Sequence, residues 1–133
     1  MPHLTMEYSG NIENEVDMQG LCVDVHRAIL SSGLFETGAP RVRAFRADAW
    51  AIADLDRENS FIDMSFRIGV GRSAEERKRV GDMIFATARD GVRHLLARPY
   101  FALSLEIREI DPRLSWKENT MHARLRNTGA PAA

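Results

Sequence analysis

The chain has 133 residues, 44% hydrophobic and 28% charged, a composition that suits one soluble globular domain and excludes a disordered chain. Its formal net charge of −1 exerts no overall pull toward nucleic acid or an anionic membrane, and its apolar runs fall short of the roughly 18 residues a membrane span needs. The single cysteine, Cys22, rules out an internal disulfide framework and fits a reducing compartment, so with no signal-peptide pattern at the N-terminus a cytoplasmic location is expected.

Leu4, Met6 and Tyr8 alternate with Thr5, Glu7 and Ser9, the period-two pattern of a half-buried strand that begins at the chain terminus. A Gly- and Asn-containing turn follows. Asp17 is then placed to cap a helix whose apolar face is Met18, Leu21, Cys22, Val25 and Ile29, with Gly33 suited to the left-handed position past its end. After a connection over residues 34–40, the text turns extended from Arg41 and continues, less regularly, toward Ala53, with a break or bulge near Asp48. The polar run Asp54 to Asn59 reads as a hairpin loop.

Phe61 to Ile68 alternates cleanly, burying Ile62, Met64, Phe66 and Ile68. Ser73 and Glu76 have the spacing of a capping box, opening a second helix with Val80, Met83, Ile84, Ala88, Gly91 and Leu95 inward and Arg98-Pro99 as its stop. Phe101, Leu103, Leu105 and Ile107 alternate as a fourth strand, followed by an Asp111-Pro112 turn and a short segment from Trp116 to Leu125. The order predicts an α+β fold: two consecutive βαβ units forming a four-stranded sheet with both helices on one face. The domain spans residues 1–126, with a flexible tail over 127–133. The uncovered sheet face carries Asp63, Ser65 and Arg67 together with Phe45 and Trp50, so subunit packing as a dimer or trimer is expected.

Several residues could carry chemistry. A small second residue normally permits removal of the initiator methionine, which would leave the Pro2 secondary amine fixed on a strand as a candidate general base. Taken alone, the leading reading of Pro2 is that it blocks an edge-strand hydrogen bond. Arg41 and Arg43, two apart on a strand, project to one side and suit carboxylates, although exposed arginines also serve as ordinary edge protection. Gly69-Val70-Gly71-Arg72-Ser73 combines backbone donors, a cation and a capped helix start, which is equally a candidate anion site and a tight strand-to-helix turn. His3, His26, His94 and His122 are scattered without metal-ligand spacing, so no metal site is expected.

Together, Pro2-His3 with Glu7, Arg41-Val42-Arg43, Gly69-Val70-Gly71-Arg72-Ser73, Leu103-Ser104-Leu105-Glu106-Ile107 and Asn119-Thr120-Met121-His122-Ala123 resemble the 5-carboxymethyl-2-hydroxymuconate isomerase family of the tautomerase superfamily, in order from Pro2 to about Leu125. The resemblance implies a homotrimeric, cofactor-free isomerase that acts on a small carboxylate. Its substrate would be a dienol with three carboxylates, met in the degradation of homoprotocatechuate formed from 4-hydroxyphenylacetate. It carries the catalytic amine onto Pro2, catalytic and substrate-binding roles onto Arg41 and Arg72, and a substrate-binding role onto Arg43. The alternatives are another amino-terminal-proline tautomerase acting on an enol or 2-oxo acid, and a non-catalytic carboxylate-binding module of ferredoxin-like layout.

Overall fold

The computed structural model describes residues 1–127; positions 128–133, within the segment expected as a tail, lie outside the described residues. Strands β1 (His3–Ser9), β2 (Arg41–Ala47), β3 (Ser60–Gly69) and β4 (Phe101–Ile110) form one sheet in the order β2-β1-β3-β4. Helices α1 (Met18–Ser31) and α2 (Ala74–Gly91) are the crossovers of two βαβ units. Each makes its unit parallel, β1 with β2 and β3 with β4, while β1 and β3 join the units antiparallel. The expected architecture is therefore present.

The alternating strand residues explain why both helices share a face. Leu4, Met6, Ile62, Met64, Phe66 and Ile68 are all fully buried, and they meet Val25, Ile29, Val80, Ile84 and Ala88 from the two helices. Side chains two apart on a strand point the same way, so one sheet face supplies the core and the other is left open. Gly91 lets the helices close: a Cβ there would sit 2.9 Å from Leu21 Cδ1.

The local signals are realised. The Asp17 carboxylate accepts from Gly20 N at 3.0 Å, Gly33 has φ +74°, and the capping box forms with Ser73 N donating to Glu76 Oε1 and Glu76 N to Ser73 Oγ. Four expectations need correction. The 54–59 run is not a hairpin loop, because β1 lies between β2 and β3, and β2 stops at Ala47 instead of reaching Ala53. The second helix breaks at Val92, whose φ of −127° is not helical, leaving a short α3 (Arg93–Leu96) before β4. The segment near the C-terminus is helix α4 (Thr120–Asn127), one residue into the stretch read as tail.

The interior place of β1 changes the standing of Pro2. It is not an edge residue. Pro2 is buried and its carbonyl accepts from Arg41 N at 3.1 Å, so the chain start is sewn to β2 before the strand proper begins.

The capping box makes a direct prediction. Ser73→Ala is expected to lower unfolding free energy by about 1 kcal/mol, the usual worth of such a cap, and to lower the urea midpoint at unchanged m-value.

Candidate active site

A cavity of about 570 Å³ opens at the end of the sheet where β1 begins, and its lining includes Met1, Pro2, Phe35, Arg72, Lys117 and Asn119. Each part arrives from a different element. Pro2 is held by β1. Arg72 follows β3, where Gly71 at φ +114° turns the chain and aims the guanidinium back over the core. Phe35 comes from the α1–β2 connection. Lys117 and Asn119 come from the arm that follows β4.

Arg72 is tightly placed. Its Nη2 donates to Leu34 O at 2.9 Å, its Nη1 to Gly69 O at 3.3 Å, and its Cζ stands 4.2 Å from the centre of the Phe35 ring. Phe35 is itself fixed edge-on against Phe66, ring centres 5.8 Å apart. A cation on an aromatic face keeps its charge while losing water. Arg72 Nε is buried and has no hydrogen-bond partner among the described residues, leaving a donor in reserve. At residues 69–73 the capping box takes up Ser73 N and Glu76 N, and what this turn brings to the cavity is the Arg72 side chain.

Arg41 also reaches the chain start, its Nη1 donating to Met1 Sδ at 2.6 Å and to Ala39 O at 2.8 Å. Arg43 does not join it. Arg43 lies on the open sheet face, with Nη1 3.2 Å from His3 Nδ1. Burial lowers the Met1 amine below its ordinary pKa, and the cations of Lys117, Arg72 and Arg41 lower it further. The site is thus a partly enclosed amine ringed by positive charge.

The arm is tied down by several contacts. Asn119 Nδ2 donates to Gly38 O at 2.8 Å and its Oδ1 accepts from Met121 N at 2.9 Å. Glu36, the carboxylate lining the cavity, is drawn into a bidentate pair with Arg126, whose Nε lies 2.8 Å from Oε2, and His122 Nδ1 is 3.3 Å from that same oxygen. The Arg126 hydrogen bond is the main cause holding the Glu36 carboxyl below the usual carboxylate range. Its charge is spent on α4. Reading the sequence missed Phe35, Glu36, Lys117 and Asn119 as site residues, and gave His122 no place. Only the Asn119 to Ala123 stretch held a signal, as part of the family likeness.

A second cavity, of about 320 Å³, lies where β3 begins, lined in part by Asn11, Glu15, Arg57, Ser60 and Arg98. Its Arg98 is already paired with Glu15 at 3.0 Å. Among the described residues, there is no group of three or more His, Cys, Asp or Glu that could hold a metal ion, and no helix long and apolar enough to cross a membrane.

Two βαβ units joined antiparallel, with a proline at the head of the first strand and an arginine after the third, define the tautomerase-superfamily fold. A family description of 5-carboxymethyl-2-hydroxymuconate isomerase matches residues 2–125. The chain belongs to that family and is an isomerase. It is 36% identical over 123 residues to the 5-carboxymethyl-2-hydroxymuconate Delta-isomerase of Escherichia coli, covering 92% of this chain and 98% of that one. The crystal structure of a 5-carboxymethyl-2-hydroxymuconate isomerase from Deinococcus radiodurans R1 superposes with TM-score 0.89 at 35% identity, covering 94% of both chains. A crystal structure of a 5-carboxymethyl-2-hydroxymuconate delta-isomerase does so with TM-score 0.85 at 30% identity, over 94% of this chain and 93% of that one. Family membership sets aside the non-catalytic ferredoxin-like module.

The basic corner of the open face yields a pH prediction. Burial, then Arg67, Arg43, Arg41 and the terminal amine, push the His3 imidazole from 6.5 down to about 4. Between those values the unfolded chain binds a proton that the folded chain refuses, so His3 erodes stability as pH falls across that window. His3→Gln is expected to lose less stability than the parent between about pH 7 and about pH 4.5, measured as the change in urea midpoint.

Proposed function

We propose that the chain catalyses ketonisation of the dienol 5-carboxymethyl-2-hydroxymuconate to its 2-oxo-3-ene isomer, using the Pro2 amine as base and acid and needing no cofactor. The observation that carries this reading is that the chain start, Arg72 and Lys117 line one cavity, with Arg41 bonded to Met1 beside it. Removal of Met1 would convert Pro2 from a tertiary amide into a secondary amine. It would also release the Arg41 nitrogen now bonded to Met1 Sδ.

In the reaction, the Pro2 nitrogen takes the proton from the 2-hydroxyl, electron density moves along the diene, and the same proton equivalent is delivered to C5. The dienolate carries its charge toward the 2-oxygen, where a preorganised guanidinium stabilises it more than it stabilises the neutral enol. Arg72 suits this role, since its position is fixed by Phe35 and two carbonyls before substrate arrives. Arg41 then grips a carboxylate. Arg43, carried into the expected binding set by resemblance, has no place in this cavity and in this reading serves the open face beside His3. The cations that attract an anionic substrate also disfavour the ammonium form of the amine, so they keep the base neutral at the pH where it works.

The reading extends to a homotrimer in the cytoplasm. Assembly is supported by the uncovered sheet face and by large apolar residues left outside the core: Phe45 is 54% exposed, Leu114 71% and Trp116 85%.

Correctly trimmed Pro2→Ala is expected to lose about 10²-fold in kcat/KM for the dienol, followed by ultraviolet absorbance, while keeping its oligomeric state. Unchanged turnover would remove Pro2 from the mechanism, as would an intact mass showing Met1 retained in active protein. The acid limb of kcat/KM should fall below the pKa of a free amino-terminal prolyl peptide, with activity lost as pH drops through it. Sedimentation velocity is expected to give a species of three chains; a stable monomer at working concentration would contradict the assembly.

A further inference from the structure

The proposed substrate has three carboxylates, yet Arg72 alone of the arginines lines the cavity and Arg41 stands beside it, against Met1. Arg43 is turned to His3. The remaining cation in the lining is Lys117, which belongs to no regular element and lies between the 3₁₀ turn Pro112–Leu114 and α4. We infer that Lys117 binds a carboxylate of the substrate that Arg41 and Arg72 do not, and so selects tricarboxylate enols over those with fewer carboxylates. This rests on the function proposed above.

Three observations support it. The hydrogen bond of Lys117 is to the Met1 amine, a partner that removal of Met1 would take away, whereas Asn119 is bonded to Gly38 and Arg126 and His122 lie against Glu36. The arm is thus anchored just beyond Lys117, while the lysine itself is exposed at the cavity mouth. The cavity's carboxylate, Glu36, would be the natural competitor for the ammonium, and α4 has already neutralised it. Lys117, Arg72 from ahead of α2 and Arg41 from β2 all act on the Met1 amine as like charges, so the lysine shares its end of the cavity with cations. A cation among cations, with the carboxylate of the cavity lining engaged elsewhere, is satisfied by an anionic ligand.

Lysine fits the task in chemical terms. A long flexible stem carries a point charge that can follow a carboxymethyl arm, whereas a planar guanidinium demands fixed geometry. Lys117 would then contribute to KM through a substrate group remote from the proton transfer, leaving kcat largely to Pro2 and Arg72.

The test compares the tricarboxylate dienol with 2-hydroxymuconate, which lacks the carboxymethyl arm. Lys117→Gln is expected to raise KM for the tricarboxylate about tenfold, as loss of one charge-assisted hydrogen bond would, with kcat within about threefold and 2-hydroxymuconate barely affected. Lys117→Arg is expected to recover most of the loss. Equal effects on both substrates, or an unchanged KM for the tricarboxylate, would overturn the inference. Calorimetry with propane-1,2,3-tricarboxylate and glutarate gives a readout independent of turnover: Lys117→Gln should weaken the first about tenfold and the second little. A parent protein that binds the tricarboxylate through Lys117 but turns over no dienol would overturn the proposed function and leave this inference standing. Binding indifferent to Lys117 would overturn the inference by itself.

Discussion

The pairing of β1 on both sides is the constraint from which the site follows. A terminal strand at a sheet edge would fray, and a base mounted on it would wander by ångströms. Here β1 runs between β2 and β3 with a continuous register to each, and the ladder starts at His3, directly after the residue proposed as base. The bond from Arg41 N to the Pro2 carbonyl extends that grip one residue further. The entropy of ordering a chain end is thus met by sheet pairing and by the burial of Leu4 and Met6, not by the ligand. Binding energy remains for the reaction.

Around that fixed point the structure accumulates positive charge without a compensating acid. Cations in proximity repel, and the fold offsets this by local means. Arg72 is steadied by two carbonyls and an aromatic face, Arg41 by the Ala39 carbonyl, and neither by a carboxylate that a substrate would have to displace. Glu36 is the exception, and Arg126 with His122 draws it aside. The arm therefore acts on the electrostatics of the cavity twice, once through the cation it brings and once through the anion it removes.

Elements with local causes were legible in the sequence. Alternation at 4–8 and 62–68, the Asp17 and Ser73 caps and the glycine at 33 each depend on residues within a turn of one another, and each is found where the pattern puts it. What was not legible depends on distant partners. No local pattern says that β1 enters between β2 and β3, which is why the 54–59 run reads as a hairpin loop. The arm's contribution is of the same kind, since Asn119 meets Gly38 across 81 positions. The glycine turn that carries Arg72 was legible, but its seat over Phe35 was not, since that ring comes from the α1–β2 connection. The pair Arg41 and Arg43 stands opposite His3 and Thr5 on one side of the sheet, as the period of two requires, but no period says that Arg41 bends to Met1 while Arg43 stays beside His3.

The antiparallel joint between the two βαβ units has a consequence for how such a chain divides its labour. A rotation that exchanges the units would carry the start of β1 onto the start of β3, and the cavity beside Pro2 onto the one beside Ser60. The halves are alike as scaffolds and unlike as chemists. The second strand-start sits mid-chain, where the nitrogen is an ordinary amide already donating to Tyr100 O at 2.8 Å, and no processing step can free it. Its arginine is free to settle into an ion pair with Glu15, and does. The second unit instead lends its β3–α2 turn, with Arg72, to the first unit's cavity. The two units thus carry one cavity at the chain start and another at a mid-chain strand start, and the first is lined from both halves.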